Sequence, residues 1–188
     1  MIMNLSSIIG IGEVYRVYAQ IIFIENLRVK YGLKRIFEYP FESNSSVMTD
    51  KCWTQIEDPN VEGDLLMTWK AFPKIIKEML VFKGKYFLFM CTNKLNFGAI
   101  IHQYYWNNPE IYLTLKELEK MVSSFGLQIL ESDYYDMPLW FDAPLTPNDT
   151  VHLTIKDSWI KGSVYYLERL KFLKMYRSHH IYCFAERS

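Results

Sequence analysis

A chain of 188 residues is the length of one domain (1–188), and with 50% hydrophobic and 16% aromatic residues it excludes disordered and low-complexity classes. Its 21 Lys and Arg balance 21 Asp and Glu, so no net field draws in a phosphate backbone, and nucleic acid is not an expected partner. No apolar run approaches the ~18 residues of a membrane span and no basic stretch precedes the apolar N-terminus; with three scattered cysteines (Cys52, Cys91, Cys183) reading as buried thiols, a soluble cytoplasmic protein is expected.

In residues 13–30, apolar side chains recur at helical spacing (Val14, Val17, Tyr18, Ile21, Ile22, Ile24, Leu27), with charges between them. This predicts a leading helix, and Gly32 is its C-terminal stop. Residues 35–40 read as a short first strand closed by Pro40. The connection 41–62 is polar and turn-rich, with one helix expected near Thr49 to Ile56. A strand over Asp64 to Trp69 then leads into a helix opened by Pro73 that buries Ile75, Ile76, Met79 and Leu80. Lys85 to Thr92 is a continuous apolar run, as in a strand covered on both faces. Thr114 and Glu117 form a capping box ahead of Leu115, Leu118, Met121, Val122 and Phe125, with Gly126 past the helix end. Leu127 to Tyr134 reads as a strand, 158–175 as a helix and Ile181 to Ala185 as a closing strand.

Strands alternating with helices predict an α/β domain with a mainly parallel sheet. Ligands of such sheets sit at the carboxyl ends of the strands. Tyr39 to Glu42, Thr68 to Lys70 and Thr92 to Asn96 should therefore meet at any small-molecule site. Of the four histidines only His179 and His180 adjoin, and strand neighbours face opposite ways, so no metal site is expected. Gly10-Ile11-Gly12 is too short for a dinucleotide fingerprint and has no strand before it.

In this order the segments resemble the class I S-adenosylmethionine-dependent methyltransferases. Gly63 to Trp69, Phe72-Pro73, Lys77 to Met79 and Lys85 to Phe89 are similar to that family's fourth and fifth strands, and Asn93 to Gly98 to the loop that follows in a subgroup acting on small or lipid-like substrates. Thr114 to Asp136 resembles the next helix and strand, and His179 to Ala185 the terminal strand inserted antiparallel. Gly12 to Arg16 and Tyr31 to Glu38 resemble the leading helix and first strand; the C-terminal half, 63–188, carries most of the likeness.

The departure lies after the first strand. The family places a glycine-rich turn there, where absent side chains let backbone N–H groups approach the cofactor. Here Glu38-Tyr39-Pro40-Phe41-Glu42-Ser43-Asn44-Ser45-Ser46 holds no glycine. The second strand, whose terminal acid holds the ribose in relatives, has no evident counterpart. Between Pro40 and Gly63 lie 22 residues. The full family plan needs on the order of 50 there, whereas a parallel crossover needs only about a dozen. The expectation is a reduced Rossmann-like sheet of about five strands, with helices on both faces and the first strand as its edge.

From the resemblance, Glu38, Tyr39, Phe41, Thr68 and Trp69 would adjoin any cofactor, and Asn93, Asn96, His102, Tyr105, Trp140 and Asp142 would line a substrate pocket. Several have a plainer reading: Glu38 as a strand-end acid facing solvent or capping a helix, Asn93 and Asn96 as turn formers, Trp140 and its neighbours as loop packing, and His102 and Tyr105 as core. Methyl transfer from a sulfonium needs positioning rather than a triad, so no catalytic residue stands out. The expected function is a methyltransferase-like protein deficient in cofactor binding on its own, acting as a partner or binding subunit. An exposed first strand would be an adhesive edge for a second copy or another protein. The alternative is an active methyltransferase on a small or lipid-linked acceptor, holding S-adenosylmethionine through a rebuilt 41–62 loop or a partner chain.

Overall fold

The computed structural model describes residues 11–40, 53–96, 112–135, 175, 178 and 180–187. Helix α1 (Ile11–Tyr31) precedes β1 (Ile36–Glu38), β2 (Thr54–Gln55) and β3 (Leu65–Thr68). Helix α2 (Pro73–Met79) leads to β4 (Tyr86–Asn93), and β5 (Tyr112–Leu113) leads to α3 (Leu115–Ser124). Strands β6 (Leu127–Tyr135) and β7 (His180–Arg187) complete the sheet. Its order is β2-β1-β3-β4-β7-β6, with β5 beside the end of β4.

The five expected strands all form, and β7 lies between β4 and β6, antiparallel to both. That insertion separates this topology from other α/β arrangements. Among the described residues the sheet nevertheless has seven strands rather than about five, because β2 and β5 add two residues each. Strand β2 also corrects two expectations. It pairs parallel with β1, Phe37 beside Thr54 and Glu38 beside Gln55, so β2 and not the first strand is the edge. The anticipated helix does not extend over Trp53 to Ile56; these β-prone residues satisfy the open side of β1, and the Ile56 N–H donates to the Glu38 carbonyl at 3.0 Å. The expected helix over 158–175 falls, except for helical Met175, outside the described residues.

Side chains alternate across β4 as its apolar run requires. Phe87, Phe89 and Cys91 join Ile76 and Met79 of α2 and Leu118 and Val122 of α3 in one core. Leu88 and Met90 join Ile24 and Leu27 of α1, with Trp53 and Phe184, in the other. Helices thus cover both faces. Tyr31 of α1 packs on Phe184 and Tyr86 at ring-centroid distances of 4.4 and 5.8 Å, near the amino end of β4. Phe23 packs on Tyr182 and Tyr135 at 4.7 and 4.9 Å, near the carboxyl edge. The helix therefore runs antiparallel to β4. From Phe23 back to Ile11 it continues for roughly 18 Å at 1.5 Å per residue, so its first turns overhang the carboxyl edge.

Candidate functional site at the carboxyl edge of the sheet

Strands β1, β3 and β4 lie side by side and parallel, so their ends bring Glu38, Tyr39, Thr68, Trp69, Asn93 and Asn96 to one edge. Phe41, His102, Tyr105, Trp140 and Asp142 lie outside the described residues.

Glu38 is the most informative of these. It is buried, and a buried carboxylate is costly unless donors replace its water. The Trp53 indole N–H donates to Glu38 Oε2 at 2.7 Å, and the Gln55 amide donates to the same oxygen at 3.2 Å. Both donors come from the connection, on or beside β2. Trp53 is itself buried against α1. Glu38 is therefore not a solvated strand-end acid: it anchors β2 to β1.

Tyr39 extends the β1 pairing by donating its N–H to the Met67 carbonyl at 2.9 Å. Its hydroxyl donates to Glu78 Oε2 of α2 at 3.0 Å. Partial burial, and then that carboxylate, push the phenol pKa up. Thr68 is fully buried, and its Oγ1 accepts the Lys70 N–H at 3.1 Å, closing the turn after β3. Trp69 packs, half-buried, against the α1-side core.

Asn93 is fully committed to structure. Its amide donates to the Met175 carbonyl at 2.7 Å and the Ser178 carbonyl at 2.8 Å, while Oδ1 accepts the Leu95 N–H at 3.1 Å. An asparagine amide has two N–H donors, and both are used. The residue ties the end of β4 to the approach to β7. Asn96 is buried in the same turn, its N–H donating to the Asn93 carbonyl at 3.1 Å.

Sequence reasoning missed Trp53, Gln55 and the acids Glu57 and Asp58, which follow β2 and are exposed. Asp58 Oδ1 accepts the Asn60 backbone N–H at 2.9 Å and its side-chain amide at 2.7 Å, a local turn. The Trp-Thr-Gln-Ile run was the available signal, for its residues favour strands. Among the described residues no group of three or more His, Cys, Asp or Glu could hold a metal.

No protein-family model matches the sequence, and no curated protein matches it. Solved structures do. Magnesium protoporphyrin IX methyltransferase from Synechocystis PCC 6803, solved with bound SAH, is similar over 94% of this chain and 86% of its own, at TM-score 0.52 and 9% identity. A SAM-dependent methyltransferase from Archaeoglobus fulgidus covers 87% and 80%, at TM-score 0.45 and 11% identity. The methyltransferase in a complex with the Haloferax volcanii Trm112 activator covers 87% and 75%, at TM-score 0.42 and 14% identity. The fold is that of the class I S-adenosylmethionine-dependent methyltransferases, mostly parallel with an antiparallel strand inserted near one edge.

Proposed function

We propose that this chain is a methyltransferase-fold protein that does not hold S-adenosylmethionine unaided in the family's manner and serves as a binding or partner subunit. The state of Glu38 carries this reading. The carboxylate at the tip of β1 is buried and occupied by Trp53 and Gln55 of the chain's own connection. The sequence beyond it, Tyr39 to Ser46, has no glycine, the residue type that lets backbone N–H groups come close to a cofactor. The residues present do not fit the family's plan for the cofactor. The partner role rests on the carboxyl edge rather than on strand addition, since an edge strand of two residues offers little to pair with. Buried free thiols at Cys91 and Cys183 accord with a reducing cytosol.

A second reading, an active methyltransferase on a small or lipid-linked acceptor, is favoured by β2 itself. It stands beside β1 where the family's second strand would, and Glu57 and Asp58 follow it. Calorimetry of the isolated chain with S-adenosylhomocysteine separates the two. The expected result is no heat at millimolar ligand. Micromolar binding that a Glu57→Gln/Asp58→Asn double variant abolishes overturns the first reading and establishes the second.

A further inference from the structure

The row of paired residues at the carboxyl edge, on the α1 face, changes character away from β1. Along β4, further inside the sheet, this face is apolar, with Leu88 and Met90 fully buried beside Phe184 of β7. In the last row Tyr135 pairs with His180, and His180 with Thr92. Register partners present their side chains on one face, so three polar side chains adjoin across β6, β7 and β4. Tyr135 is 7% exposed, and its hydroxyl has no hydrogen-bond partner among the described residues. Its ring lies 6.4 Å from that of His180 and 4.9 Å from that of Phe23, where α1 begins to overhang the edge. A buried hydroxyl left without a partner lowers stability, and such a group in a native fold calls for a cause.

We infer that Tyr135, His180 and Thr92 form a binding subsite for a neutral or cationic molecule that presents a hydroxyl or amino group. The location is where α/β sheets hold ligands. The sign of the ligand follows from the next residues on the same face of β6, Asp133 and Glu131. By register both carboxylates share the face of Tyr135 and His180, which places acidic charge on that side of the strand. Lys30 of α1 is held in an ion pair by Glu131 and does not reverse it. A carboxylate or phosphate would be repelled, while a hydroxyl or an ammonium would supply the partner that the Tyr135 oxygen lacks. The subsite lies on the β4–β7–β6 half of the edge and does not depend on whether the β1 half holds S-adenosylmethionine.

Thermal unfolding of the full chain and of a Tyr135→Phe variant tests this, with ethanolamine and acetate as probes. Without probe, Y135F should melt at or above the wild-type temperature, by up to about 2–4 °C, because it removes a desolvated hydroxyl and breaks no bond. Millimolar ethanolamine should raise the melting temperature of the wild type but not of Y135F, and acetate should leave the wild type unchanged. A Y135F chain that melts lower or does not fold gives the hydroxyl a structural partner and overturns the inference. So does an equal ethanolamine response in both chains, no response in the wild type, or a response to acetate of the same size.

Discussion

Asp64 fixes the entry of two strands at once. Its Oδ2 accepts the Lys34 N–H at 2.7 Å and the Arg35 N–H at 2.8 Å, while its own N–H donates to the Arg35 carbonyl at 2.9 Å. The backbone donor at Arg35, with the one at Lys34 behind it, holds the carboxyl pKa below the usual range against a smaller effect of burial. A pKa depressed in the folded chain makes a contribution that is complete above the unfolded value, near 4, and is lost as pH falls through the folded value. Asp64→Asn should therefore lower stability by about 1–2 kcal/mol at neutral pH, with the difference shrinking in acid. Urea titrations of both chains at pH 7 and pH 3 check this; a difference that is constant with pH would rule out the carboxylate. Glu38 shows what such contacts leave unread in a sequence. Its place at a strand end was legible, but its donor Trp53 stands 15 residues away, and no local pattern announces a contact set by sheet register.

Elements were legible in proportion to their length and to the chemistry at their ends. The Thr114 box is present as read: the Thr114 hydroxyl accepts the Glu117 N–H, and the Glu117 carboxylate accepts the Thr114 N–H at 2.8 Å. Gly126 closes the same helix at φ 78°, a conformation in which an L side chain is strained. Strands β2 and β5 escaped because two residues carry no periodicity; pairing partners make them strands. The two ends of α3 should respond differently to substitution. Thr114→Ala loses the bond the hydroxyl accepts from the Glu117 N–H and the one it donates to Glu117 Oε2, keeps the backbone bond, and should cost about 0.5–1 kcal/mol. Gly126→Ala meets open space, with nothing within 4 Å of an added Cβ, so its cost, about 1 kcal/mol, should come from backbone strain alone. Measured denaturation midpoints should show the two losses adding, since the sites lie at opposite ends of the helix; a double variant no weaker than either single one would refute independent caps.

At the scale of the molecule, one sheet is shared by two cores, and β4 and β7 are where its parallel part meets the antiparallel insertion. Their seven-residue register, Tyr86 with Glu186 through Thr92 with His180, joins the two helical layers. Cys91 on β4 and Cys183 on β7 both face the α2–α3 side and are buried. Burial pushes the Cys91 thiol up to about 12 and raises that of Cys183 as well, so neither supplies thiolate while native. Opening either strand exposes both cores at once, so the route to these sulfurs should be global unfolding rather than local fraying. In a Cys52→Ser chain, labelling of both thiols by an aromatic disulfide reagent should proceed at one rate. The logarithm of that rate should rise with urea along the full slope of equilibrium unfolding, because slope follows the surface exposed. If Cys183 instead labels faster and with a shallower slope, β7 opens by itself, and the layers are joined through β4 and β3 rather than through the inserted strand.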